Sequence, residues 1–184
     1  MRIRRTMLVL LVAMLASGAA LGTEQCDVAD WFELGAQDAL NGLPPQHVDH
    51  HARACNLAGV SAGTRAWSAG HAQALPRFCT AGSGYVQGAR NTTYHGKCPG
   101  DLEQDFLYGY GLGQDVYKLE LRIGQIGEQI SVLREKMNAG DITADQRKSI
   151  PESVDYYKQL REGMQALRLE FLAQARAHGY PVAD

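Results

Sequence analysis

Apolar residues in the second half of the chain recur at alternating spacings of four and three. Leu112, Val116, Leu119, Ile123, Ile126, Ile130, Leu133 and Met137 form this seam. Heptad spacing of this kind predicts a long helix with one apolar stripe. Asn138-Ala139-Gly140-Asp141 interrupts it, and Tyr157, Leu160, Met164, Leu167 and Phe171 resume the rhythm. Two starts for a second helix are written nearby. Ser149-Ile150-Pro151-Glu152 has capping-box spacing with proline in the first turn, and Thr143-Ala144-Asp145-Gln146 offers the same spacing earlier. A short connection makes the two helices fold back antiparallel. Residues 118–184 are therefore expected to form a coiled-coil-like helical hairpin. Its stripes can simply pack on each other, or they can serve self-association or the docking of a partner helix.

The first half has a different grammar. Short segments are broken by Gly and Pro, and a weak repeat runs through them. Phe32-x-x-Gly35-x-x-x-Ala39 is echoed by Trp67-x-x-Gly70-x-x-x-Ala74, by Tyr85-x-x-Gly88 and by Phe106-x-x-Gly109-x-x-x-Gly113. Small residues four apart share one helix face, which lets a second helix approach closely. The motif reads as packing rather than chemistry, against the alternative of a ligand groove lined by Trp31, Trp67 and Tyr85. Helices are expected over about 28–41, 46–57 and 64–75. A short helical turn and a loop are expected over 82–97, and a fourth helix from about Asp101. The fold class that follows is all-α: a small helical domain over 23–117, then the hairpin.

Residues 1–22 add a compartment. MRIRR is basic, TMLVLLVAMLA is a short apolar run, and SGAALG is rich in small residues, the layout of a secretory signal peptide. The run is too short to span a bilayer. Cleavage is expected after Gly22, with Ala20 as the alternative. It would remove three arginines and no acid, turning a net charge of −2 into −5. Bulk electrostatics then argue against nucleic-acid binding. Cys26 follows Glu24-Gln25 rather than a small residue, so no lipid anchor is expected. A soluble periplasmic protein with no membrane span is the expectation.

Export also bears on the four cysteines, Cys26, Cys55, Cys79 and Cys98. An even count in an oxidising compartment predicts two disulfides. If 28–41 and 46–57 pair antiparallel, Cys26 before the first helix meets Cys55 in the last turn of the second. The same logic pairs Cys79, after the third helix, with Cys98, before the fourth.

The order Cys26…Asp30-Trp31…Gly35-x-x-Asp38, His51-x-x-x-Cys55, Phe78-Cys79-Thr80, Gly88, Tyr94-x-Gly96-x-Cys98, Phe106 and Tyr110-x-x-Gly113 resembles an exported bacterial family of unknown function, DUF2799. Many of its members are envelope lipoproteins. The similarity covers about residues 26–117. It implies export and a helical, cysteine-containing domain, and it implies no activity. Ala39 stands where the family usually has glycine, and the lipid-attachment cysteine is missing, which fits a soluble form.

Chemistry is sparse. HVDHHARAC, residues 47–55, offers His47, His51 and Cys55 to a zinc ion, and His95 with Cys98 offers a second pair. Oxidation of the cysteines would dissolve both sets, so no metal and no cofactor are expected. No H-E-x-x-H, nucleophile elbow, P-loop or dinucleotide fingerprint occurs. Asp38 and His51 can act as an acid–base pair, or more simply as a buried hydrogen bond that fixes helix register. Asp30, Asp38, His51 and His71 mark the polar site if there is one. His51 is expected to turn toward Asp38, with His50 in solvent. No catalytic residue is assigned. The reading favours a structural or interaction role in the cell envelope, ahead of a small-ligand or metal-binding module, with an enzyme third.

Overall fold

The computed structural model describes Cys26, residues 30–57, Gly59 and residues 61–182. The expected signal peptide lies outside these residues. The described residues form helices and no strand. Helix α1 spans Trp31–Leu40, α2 Val48–Leu57 after a 3-10 turn at Pro45–His47, α3 Thr64–Phe78, α4 Ala81–Ala89, α5 Gly100–Ala139 and α6 Ala144–Ala177. None is long and apolar enough to cross a membrane.

Glycines decide which helices pair. α1 lies on α3, and α4 lies on α5. A methyl group on Gly35 would fall 2.0 Å from the Trp67 carbonyl oxygen, and one on Gly70 would fall 1.9 Å from that of Phe32. The α4–α5 crossing repeats this reciprocity twice. Gly84 faces the Phe106 carbonyl while Gly109 faces Ala81; Gly88 faces Tyr110 while Gly113 faces Tyr85. In every case the carbonyl belongs to the residue three positions before the partner's own glycine. Only a hydrogen fits there, so the backbones touch, an approach at which Cα–H groups point at carbonyl oxygens.

This overturns one expectation. α1 pairs chiefly with α3 and not with α2, because α2 (VDHHARACNL) carries no glycine to admit a second backbone. The ends of α1 and α2 are nevertheless held together: the Cα atoms of Cys26 and Cys55 are 5.6 Å apart and bonded through sulfur. Cys79–Cys98 spans 5.6 Å in the same way. A loop closed over 19 residues stabilises by about 3 kcal/mol on the chain-entropy estimate.

Other boundaries moved for local reasons. α1 starts at Trp31 because the Asp30 carboxylate accepts the Phe32 and Glu33 amides. α3 runs through Pro76 to Phe78. The expected turn after Gly82 is a full helix, α4, opened by Thr80 accepting from the Ser83 amide. α6 starts at the Thr143 capping box, with both reciprocal bonds made, so Ser149–Glu152 lies inside the helix and Pro151 interrupts only its ladder.

Three apolar clusters result. Ala39, Phe78 and Phe106 join the two glycine-crossed pairs, with the Phe rings 5.4 Å apart. Lys97 adds a tie across them: its ammonium donates to the Gly42 carbonyl and sits 5.4 Å above the Phe78 ring, and burial lowers its pKa. Tyr85, Leu112 and Val116 are covered by Leu172 and Ala175 from the end of α6. Ile126, Ile130, Ile150 and Val154 fill the far part of the α5–α6 hairpin. The seam on α5 is buried or half-buried throughout, whereas Leu167 on α6 is 41% exposed. Beside it Arg168 turns to α5, its Nε and Nη2 donating to Glu120 Oε1 at 2.8 and 2.6 Å. Position 117 falls within α5, so this one helix serves both regions.

Candidate functional site

α1 and α2 meet through the buried side chains of Asp38 and His51. Asp38 sits in the last turn of α1, His51 on α2 one turn before Cys55, and Trp67 on α3. All three are buried, at 6%, 2% and 1% exposure. Asp38 Oδ2 accepts from Trp67 Nε1–H at 2.9 Å and lies 2.8 Å from His51 Nε2. A carboxylate in such a place needs donors, and it has one from each neighbouring helix. The Trp67 bond fixes the carboxylate relative to the glycine crossing at Gly35, because Trp67 is also the residue whose carbonyl faces that glycine.

His71 is buried one turn further along α3, its ring stacked on Trp67 at 4.7 Å between centroids. Its Nε2 lies 2.9 Å from the Leu43 carbonyl, tying α3 to the turn after α1. His71 therefore flanks the Asp38 cluster without bonding to it. Asp30 stands apart: it is exposed and caps α1. Of the four polar residues singled out in the sequence, the structure brings Asp38 and His51 into direct contact, sets His71 beside them through Trp67, and leaves Asp30 outside.

His47 closes the cluster from the 3-10 turn. Its ring packs edge-on to His51, centroids 4.9 Å apart, and one donor atom from each of Asp38, His47 and His51 lies within 4.8 Å of the others. Burial lowers the His47 pKa. The Asp38 carboxylate pulls it upward, and His51 and His50 add to the lowering. His50 is exposed and His95 is exposed. Both cysteines named as possible ligands, Cys55 and Cys98, are in disulfides, so neither thiolate set exists.

The sequence reading missed Trp67 as the second donor to Asp38, and it grouped His47 and His51 with Cys55 where the structure groups them with Asp38. Trp67 was read as packing, and its ring does pack; the indole N–H is the part that needed a partner. The signal for His47 was its spacing of four from His51. That spacing was read toward Cys55, the residue one turn further on the same face.

Trp31, Trp67 and Tyr85 do not line one groove. Tyr85 belongs to the cluster under the end of α6, away from Trp67. Beside it Val86, Arg90, Val116, Glu120 and Arg168 border an open cleft of about 420 Å³.

The family model described as "Protein of unknown function (DUF2799)" matches residues 30–115. That span holds α1 to α4, the first part of α5, and every residue of the polar cluster. It leaves most of the hairpin outside. No curated protein and no solved structure matches the chain.

Proposed function

We propose, for a chain whose residues 30–115 form a DUF2799-like domain, an exported protein of the periplasm with a structural or interaction role in the cell envelope. In this reading the stapled domain over 23–117 is the stable base, the hairpin over 118–184 is the arm, and no chemistry is assigned to either. The observation that carries it is the hairpin surface. Leu121 and Val132 on α5 are 51% and 52% exposed, and Tyr156 and Leu167 on α6 are 61% and 41% exposed. Members of each pair are eleven residues apart, which returns a helix to nearly the same face. Each pair therefore lies along one line of the hairpin, where an elongated partner or a second copy of the chain would rest. Two disulfides support an oxidising compartment.

The location is tested by osmotic-shock fractionation and N-terminal sequencing: release with the periplasmic fraction and a new N-terminus near Thr23 are expected. The contact role is tested with a photo-crosslinking side chain at Val132 in intact cells, compared with one at exposed Asp101. A discrete adduct, or a crosslinked dimer, from position 132 alone is expected. Equal smears from both positions would sink the interaction reading.

A further inference from the structure

We propose that Asp38, His47 and His51 bind a divalent transition-metal ion of the zinc class through one carboxylate oxygen and two imidazole nitrogens. This is independent of what the hairpin does.

The donor set comes from α1 and from the 3-10 turn that runs directly into α2. One donor from each residue lies within 4.8 Å of the other two. Zinc takes nitrogen and oxygen donors at about 2.0–2.2 Å in a tetrahedron, which puts the donors roughly 3.5 Å apart. A contraction of about 1 Å closes the site. His47 can supply it, because it is half-buried and lies in a three-residue turn rather than in a packed helix.

A second observation points the same way. His47 Nε2 is buried and has no hydrogen-bond partner among the described residues. His51 is 2% exposed and presents Nε2 to Asp38 Oδ2 at 2.8 Å, so an ion shared by the two takes the place of that hydrogen bond. Two imidazoles beside a fixed carboxylate, one of them with an unused nitrogen, are what a borderline-soft divalent cation takes. The Trp67 indole and the backbone approach at Gly35 hold the Asp38 carboxylate in place, the part outer-shell groups play in metal sites. Three protein donors leave a fourth position open for a water molecule. The disulfides take no part as ligands, so binding does not require reduction.

The test uses the oxidised full chain, purified without a polyhistidine tag and stripped with a chelator. Equilibrium dialysis against zinc should show one ion per chain with micromolar affinity or better, and added zinc should raise Tm. Cobalt in place of zinc should give a visible d–d spectrum. His47→Ala should lose about a hundredfold in affinity or more, while its far-UV circular dichroism stays unchanged, because His47 lies in the 3-10 turn before α2 and not in an α-helix. His50→Ala and His95→Ala should bind as the parent does. If the parent binds no zinc at concentrations of about ten times micromolar, the unpaired nitrogen is satisfied by water and the proposal fails. It fails equally if His47→Ala keeps the parent's affinity, since the ion would then sit elsewhere on the surface.

Discussion

The glycine-crossed pairs and the hairpin solve one problem, holding helices together, by opposite means. A methyl on Gly35, Gly70, Gly84, Gly88, Gly109 or Gly113 would come 1.8–2.2 Å from a facing carbonyl oxygen. A methyl on Gly124, Gly127 or Gly163 in the hairpin would meet nothing within 4 Å. In the first region backbones touch; in the second, side chains such as Ile126, Ile130, Ile150 and Val154 keep them apart. The buried polar residues also divide unevenly: Asp38, His51 and His71 all lie in the first region. The short helices bury little side-chain surface each, so close approach, hydrogen bonds and disulfides carry more of their stability. The hairpin has length instead, with each buried Ile contributing about 1.5–3 kcal/mol. Its Glu120–Arg168 pair is half-exposed and adds only about 0.2–1 kcal/mol.

The polar cluster is where that contrast breaks most sharply. Asp38→Ala would leave the Trp67 indole N–H and the His51 ring without a partner inside the core. At about 1–3 kcal/mol per stranded group, a loss of about 3–5 kcal/mol is expected. Asp38→Asn keeps an acceptor and should lose less. Chemical denaturation of both variants measures this. An Ala variant within 1 kcal/mol of the parent, on the same scale of stranded groups, would mean that water reaches the cluster freely.

Close behind comes the crossing itself. Gly35→Ala forces α1 away from the Trp67 carbonyl, and overpacking of this kind costs about 3 kcal/mol. The separation would also pull Asp38 from Trp67, so the indole fluorescence should shift with the melting temperature. If Gly35→Ala melts as the parent does, helices α1 and α3 are not in backbone contact in solution.

How far could this be read from the sequence? The all-α class, the long seam and the repeated aromatic–glycine motif are local patterns, and a local pattern survives folding. The pairing of α1 was not legible, because proximity in sequence favoured α2 while only the glycines on α3 could admit it. The start of α6 was written twice, at Thr143 and Ser149, and the earlier signal won because both of its reciprocal bonds form. Leu167 matches the heptad rhythm yet is exposed, since a straight helix drifts from a strict seven-residue repeat. For the site, Asp38 and His51 were legible as a pair facing each other across the first two helices, and the structure joins them at 2.8 Å. Trp67 needed three-dimensional neighbours to acquire a role, and His47 needed them to be grouped with Asp38 in place of Cys55.

The hairpin should respond to glycine replacement with the opposite sign. Gly124→Ala, Gly127→Ala and Gly163→Ala place methyls in open space and remove backbone freedom from the unfolded chain. Each should stabilise by about 0.5–1 kcal/mol, and the three together by about 2 kcal/mol. A rise in the denaturation midpoint at unchanged slope checks it. Destabilisation by any one of them would place a second surface, a partner or another copy, against that glycine.

The smallest expected effect separates the regions by pH. His47 has its pKa lowered from 6.5, mainly by burial, so the native state favours the neutral ring. The unfolded chain takes up its proton first on acidification. Between the two pKa values the unfolded state binds more protons, and stability falls as pH falls. The contribution is complete above about pH 6.5 and is lost as pH drops through the lowered native value. The ring is half-exposed and the effect should be modest, and it belongs to the cluster region alone. His47→Gln removes the titration, so its stability should change less than the parent's between neutral pH and about pH 5, the range over which an ordinary histidine charges. Melting curves followed by Trp fluorescence report the region directly, since Trp31 and Trp67 both lie in it. Identical pH profiles for the parent and His47→Gln would show that the ring titrates as if in water, and that burial does not govern it.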